Sequence, residues 1–409
     1  MRQETILEPD SAAGGGLRPF RRRVFYIPGY DPFPPRRYRE LYRAEGAAQA
    51  RISGYDLTLR PRAVKGGYGW SVSARIGRPV LAEIEVLVWT DLVRSSMDQG
   101  IAATYLQLVR TAWAYLGSGA LIRLAGLRKG PTMAALYPVA ALLVQAMVAG
   151  LLAWGIGAAL AQVHPVLGWL AAPLVVWATL WAFRRQDHRL FAYYLMHDYA
   201  YSAAGGGANP PELEARMAAF TDRIRAALSE DLDEVLVVGH SSGAHIGVSV
   251  LADLTRAGLP PGAPALGFLS LGQVVPMVSF LPGARRLRAD LAWLSACRGL
   301  TWVDVTAPGD GCAFALCDPV AVTGVAPPDQ IWPLVISAAF TRTLAPETWA
   351  RLRWRFFRLH FQYLCAFDRP ADYDYFQITA GPLTLAERYR GRAPSKSRIS
   401  RAVSGYTDT

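Results

Sequence analysis

An apolar run, Glu234-Val-Leu-Val-Val238, leads directly into Gly239-His240-Ser241-Ser242-Gly243, after which a helical pattern begins at Ala244. A G-x-S-x-G spacing between a strand and a helix sets the serine on a sharp turn, with its hydroxyl exposed as a nucleophile. Gly239 and Gly243 let the backbone pass close to its neighbours there. The spacing alone would also suit a plain glycine-rich loop. The strand before it and the helix after it supply the context that a nucleophile requires.

A serine nucleophile needs a base, and the base needs a group to orient it. The chain has six histidines: His164, His188, His197, His240, His245 and His360. Only His360 lies beyond the acids that follow the apolar strand near residues 300–306, so the chain order Ser, Asp, His selects it. The orienting acid is expected at Asp310, in the turn Pro308-Gly309-Asp310-Gly311 just after that strand. Asp318 and Asp304 compete for the role, and Asp304 would have to point out at the end of its strand. Ester cleavage through a tetrahedral intermediate also needs fixed N–H donors for the oxyanion. One is expected from the backbone of Ser242. The other is expected from Tyr30, in the loop Pro28-Gly29-Tyr30-Asp31-Pro32 that ends an early strand.

On these motifs the chain resembles the α/β-hydrolase superfamily of serine esterases and lipases, over roughly residues 23–90 and 208–365. The resemblance implies a mostly parallel sheet flanked by helices, and an acyl-enzyme mechanism that uses neither metal nor organic cofactor. Two features depart from it. The oxyanion loop reads Pro-Gly-Tyr-Asp rather than the His-Gly-Gly type of many lipases. A long apolar block is foreign to most members.

The elements that would carry these residues follow from periodicity. Strands are expected near 23–27, 55–60, 69–76, 83–89, 233–238, 266–271, 300–306 and 334–340. Helices are expected near 35–50, 97–127, 210–228, 244–256, 284–296 and 346–358. Strands alternating with helices indicate an α/β fold with a sheet covered on both faces. The expected organisation is a mobile basic leader at 1–22, a catalytic domain from 23–93 and 206–382, a helical insertion at 94–205 and a basic tail at 383–409.

The insertion sets this chain apart. No Asp, Glu, Lys or Arg occurs from Gly130 to Phe183. Two apolar runs, at about 132–160 and 166–183, are each long enough to cross a hydrocarbon core of about 30 Å at 1.5 Å per residue. Ala149, Ala153, Gly157 and Ala161 recur every four residues, a stripe along which a second helix can approach closely. Buried core helices are the competing account. The chain carries 43 basic against 32 acidic residues, a net charge of +11. Its basic clusters, at 18–23, around Arg123–Lys129, at 184–189 and at 388–401, suit anionic headgroups and membrane topology. No nucleic-acid-binding signature accompanies the charge. Arg123, Arg128 and Lys129 precede the hairpin, Arg184, Arg185 and Arg189 follow it, and the tip from Ala161 to Pro165 has none. The positive-inside rule then puts both termini and the catalytic domain on the cytoplasmic side. The four cysteines match no zinc or disulfide framework, and the N-terminus lacks the apolar core of a signal peptide.

Together these readings make the chain a two-pass membrane serine hydrolase that cleaves an ester or thioester of a lipid-like acyl substrate. Acyl transfer on the same triad is the alternative within the enzymes. A non-catalytic membrane scaffold or receptor on the same fold is the alternative outside them.

Overall fold

The computed structural model describes residues 18–62 and 67–409. Eight strands form one mixed sheet in the order β2-β3-β4-β1-β5-β6-β7-β8. They are β1 (Phe20–Ile27), β2 (Asp56–Pro61), β3 (Gly69–Ile76), β4 (Arg78–Val86), β5 (Glu234–His240), β6 (Ala265–Leu271), β7 (Thr301–Thr306) and β8 (Leu334–Ser337). From β4 through β8 every neighbouring pair is parallel, whereas β2, β3 and β4 form an antiparallel meander. The chain starts at the sheet centre, returns from one edge through β4, and after β5 builds steadily toward the other edge. The strand order therefore reverses between β1 and β5, and open α/β sheets place ligands in that crevice, beyond the carboxyl ends of the strands.

Helices cover both faces, so the central strands read as continuous apolar runs rather than alternating ones. β5 is buried along its whole length. The helices before β5 are α1 (Arg36–Ser53), α2 (Thr90–Met97), α3 (Ile101–Gly117), α4 (Ala120–Leu127), α5 (Lys129–Ala161), α6 (Pro165–Arg185), α7 (Asp187–Leu190), α8 (Ala192–Ala203) and α9 (Pro211–Ala227). After β5 come α10 (Gly243–Arg256), α11 (Val275–Ser279), α12 (Arg285–Ala296), α13 (Pro319–Thr323), α14 (Phe340–Thr343), α15 (Pro346–Leu352), α16 (Phe356–His360), α17 (Tyr375–Ala380) and α18 (Leu385–Arg388).

Several expected boundaries shift for local reasons. The 97–127 segment is two helices beyond the end of α2: Gly100 precedes α3, and Gly119, at φ 70°, separates α3 from α4. The expected helix at 346–358 breaks into α15 and α16 at Arg355, whose φ of −101° and ψ of 69° are not helical. β8 ends at Ser337, and Phe340 already opens α14.

The expected leader also ends sooner, because β1 begins at Phe20; residues 1–17 lie outside the described residues. The basic run at 18–23 is largely a structural element. Arg22 is buried and paired with Glu234, and also donates to the carbonyl of Gly381. Arg23 pairs with Glu83 and Glu230. The basic tail is a strap held against the domain. Ser395 donates to Val335 O, Ile399 to Leu316 O and Val403 to Val322 O, and Asp408 pairs with Arg285 and Arg288.

The insertion leaves after β4 and returns through α8 and α9. α5 and α6 form the apolar hairpin and meet along their small residues. Ala149 and Ala153 are buried, and a side chain at Gly168 would come within 2.6 Å of Gly157 O. Close backbone approach of this kind is how helices associate where apolar surroundings offer no hydrophobic drive. The outward faces stay apolar and uncovered, with Trp154 76 % and Trp169 83 % exposed. Both helices are long and apolar enough to cross a membrane. The apolar side of α3 also faces outward at Val109, Trp113 and Leu116, while Thr104, Leu108, Thr111 and Tyr115 turn inward. The hairpin stands on the lower turns of α5, where the Tyr105 hydroxyl donates to Leu142 O.

Candidate active site

The turn between β5 and α10 holds Ser241 at φ 56°, a left-handed backbone that a non-glycine residue adopts at a cost of about 1–3 kcal/mol. Two bonds brace it: Ser241 N donates to Leu271 O, and Ala244 N to Ser241 O. The flanking glycines are required by contact. A side chain at Gly243 would lie 2.1 Å from Ile27 O, and one at Gly239 would lie 2.6 Å from Gly243 O. The turn is thus wedged against the end of β1, and the serine side chain is left partly exposed.

Asp310 and His360, fifty residues apart, meet beside this turn. The His360 Nδ1–H donates to Asp310 Oδ2 at 2.8 Å. Asp310 accepts two further bonds, from the Tyr363 hydroxyl at 3.0 Å and from Cys312 N at 2.9 Å. Burial pushes the Asp310 carboxyl up, but the adjacent imidazole and these donors outweigh it and hold the carboxyl below its ordinary value. With Nδ1 so engaged, His360 Nε2 is the nitrogen free to accept a proton.

The imidazole and the elbow share the end of β6. A side chain at Gly272 would lie 3.1 Å from His360 Cε1, and the preceding Leu271 carbonyl accepts the Ser241 amide. Ser241 Oγ and His360 Nε2 are not hydrogen-bonded to each other among the described residues. Such bonds often tighten only when substrate is bound.

The competing acids are occupied elsewhere. Asp304 is buried and accepts from the Ser270 hydroxyl at 2.6 Å, and burial raises its carboxyl to about 8. Asp318 caps α13, accepting from Val320 N and Ala321 N.

The loop after β1 lies over Ser241. A side chain at Gly29 would come 3.0 Å from Ser241 Cβ and 3.4 Å from its Oγ. The loop is clamped by Trp89 Nε1, which donates to Pro28 O, and by the Tyr194 hydroxyl, which donates to Tyr30 O. Asp31 fixes its far side by accepting from Tyr38 and Phe33 N. Tyr30 and Ser242 border one small cleft, shared with Asp198 and His245. Neither the Tyr30 nor the Ser242 amide donates to a protein acceptor among the described residues.

Four residues at the site escaped the sequence reading. Chain order excludes His240 as the base, yet its Nε2–H donates to the His360 carbonyl at 2.9 Å. Burial lowers its imidazole to about 3, so it stays neutral while it holds the His360 backbone. Tyr363 supports Asp310 and also accepts from Ala307 N. Asp198, on α8, faces the cleft, and burial raises its carboxyl to about 7. His245, one turn beyond the elbow, has an Nδ1 with no hydrogen-bond partner among the described residues. No periodicity marks the roles of His240 and Tyr363, because each acts through a contact between distant segments.

The ligand atoms of Asp310, Cys312 and His360 lie within 4.8 Å of one another, a possible metal grouping. The donor set fits a metal poorly. His360 Nδ1 and both Asp310 oxygens are already hydrogen-bonded, and burial pushes the Cys312 thiol well up, which keeps it protonated. A tight site requires the thiolate and unengaged nitrogens.

No protein-family model, curated protein or solved structure matches this chain. What defines its class is an α/β sheet with a strained serine turn at its strand-order reversal and a buried His–Asp pair beside it.

Proposed function

We propose that the chain is a serine hydrolase of α/β-hydrolase type, anchored in a membrane, that cleaves an ester or thioester of a lipid-like acyl compound. The observation that carries this reading is the strained Ser241 turn beside the His360–Asp310 pair. Ser241 Oγ attacks the acyl carbonyl while its proton passes to His360 Nε2, and Asp310 stabilises the imidazolium. The carbonyl oxygen becomes an oxyanion facing the Tyr30 and Ser242 amides. Collapse of the intermediate breaks the bond to the alcohol or thiol, which leaves with the proton from His360. Water then attacks the acyl-serine by the same route and releases the acid. An alcohol in place of that water would make the product a new ester.

Two contacts favour a membrane-soluble substrate. A side chain at Gly130, in the first turn of α5, would lie 3.1 Å from Gly311, next to the candidate acid. Arg128, just before α5, donates to Ala315 O. The foot of the hairpin is therefore rooted in the loop that carries Asp310, which ties the anchor to the site. With the basic residues flanking the hairpin, the catalytic domain and both termini are proposed to face the cytoplasm.

The decisive test is labelling by a fluorophosphonate probe, followed by turnover of an acyl-ester panel. Ser241→Ala should abolish labelling, and Ser241→Ala or His360→Ala should lower turnover by several orders of magnitude without loss of fold. Retained turnover in either variant overturns the assignment.

A further inference from the structure

The segment leading into the candidate base has an unusual makeup. Arg351-Leu-Arg-Trp-Arg-Phe-Phe-Arg358 carries four arginines, and no acidic residue occurs from Thr348 to Phe367. All four arginine side chains are exposed, and none has a carboxylate partner among the described residues. Trp354 is 72 % and Phe356 50 % exposed between them. A solvated charge run normally mixes signs and does not present large aromatic rings to water. Here the backbone is broken at Arg355, so α15, the break and α16 turn cations and aromatics outward together.

The position of the segment is as specific as its composition. The Phe357 ring lies 4.6 Å from that of Phe191, centroid to centroid, and 5.9 Å from that of Tyr194. Phe191 follows α7, where the chain comes down from α6. Phe356 lies against Gly311, the same residue that Gly130 at the foot of α5 approaches. The segment is thus linked to the foot of α5 through Gly311 and to the chain returning from α6 through Phe191, and His360 follows it at once.

We propose that residues 351–358 form a surface lip that binds anionic phospholipid headgroups at the level where the hairpin enters the bilayer. The four guanidinium groups pair with lipid phosphates, and Trp354 and Phe356 enter the interface between headgroups and acyl chains. Each basic residue adds a comparable increment near an anionic surface, and the aromatic rings favour the same depth. The lip rests on the membrane reading above, and it makes the orientation of the base sensitive to the bilayer, because α16 carries both Phe356 and His360.

The test uses the full chain with a benzophenone amino acid replacing Trp354, reconstituted in nanodiscs of phosphatidylcholine alone or with phosphatidylglycerol. The expected result is crosslinking to phosphatidylglycerol in preference to phosphatidylcholine. That preference should fall about tenfold in the combined variant Arg351→Gln, Arg353→Gln, Arg355→Gln, Arg358→Gln, and should weaken with added salt. No lipid adduct at position 354, an unchanged preference in the variant, or capture of nucleic acid instead of lipid would overturn the proposal. Fluorophosphonate labelling of Ser241 in the same samples reports on the hydrolase reading separately. Lipid crosslinking without labelling would reject the hydrolase and retain the lip.

Discussion

Replacing Asp310 by asparagine tests the catalytic reading at the point where sequence left a choice. Asp310 Oδ2 accepts from His360 Nδ1 and from the Tyr363 hydroxyl, while Oδ1 accepts from Cys312 N. Every neighbour is a donor, and an asparagine has only one acceptor oxygen. If that oxygen stays toward Cys312, the amide NH2 faces His360 and forces the tautomer that carries its proton on Nε2. That nitrogen can no longer accept from Ser241. If the oxygen instead faces His360, the NH2 meets the Cys312 N–H, and two buried donors oppose each other at a cost of about 1–3 kcal/mol. Either way the base is disabled or the fold weakened. The wrong tautomer in a serine triad costs about 10⁴ in kcat, or roughly 5.4 kcal/mol at 1.36 kcal/mol per tenfold. The assay is steady-state turnover of a soluble acyl ester, with the fluorophosphonate labelling rate and the thermal midpoint measured on the same preparation. A loss below about tenfold, or a larger loss in Asp304→Asn than in Asp310→Asn, would refute the assignment.

The remaining predictions address the rest of the site and the anchor. Tyr30→Pro removes one candidate oxyanion donor and should cost about 3 kcal/mol or more in kcat/KM, whereas Tyr30→Phe should retain most activity; equal losses would show that the phenol, not the amide, matters. Asp198 has a folded-state carboxyl raised from 3.8 to about 7 by burial, so the native state binds the extra proton and stability falls as pH rises from about 4 to 7. Asp198→Asn should remove that dependence and raise the melting temperature at pH 8 but not at pH 4; an equal shift at both would contradict it. A cysteine placed at His164 should react with an impermeant thiol reagent from outside intact cells and one at Gly205 should not. Labelling at Gly205 alone would invert the topology, and labelling at neither would leave the hairpin buried within the bilayer.

Chain order and local pattern were enough to place Ser241 on its turn. The strand before it and the helix after it are local features, and Gly239 and Gly243 mark where neighbouring backbone must approach. The α/β alternation was legible for the same reason, since the periods of strand and helix are written within short windows. So was the apolar hairpin, because an uncharged block and a four-residue stripe of small side chains need no partner to be recognised. Where a break depends on one backbone angle, as at Gly119 or Arg355, the periodicity ran straight through it.

Only the tertiary structure shows which of Asp310, Asp304 and Asp318 stands against His360. All three follow the elbow in the chain, and what separates them is which donor stands opposite each carboxyl: His360, Ser270 or the first turn of α13. Packing also turned the basic run at 18–23 into an inner strand, because Glu234, which neutralises Arg22, lies 212 residues away. The basic tail became a strap for the same reason. Tyr363 and His240 take their roles from contacts between distant segments, and a linear sequence carries no sign of a partner that only folding brings within hydrogen-bond distance.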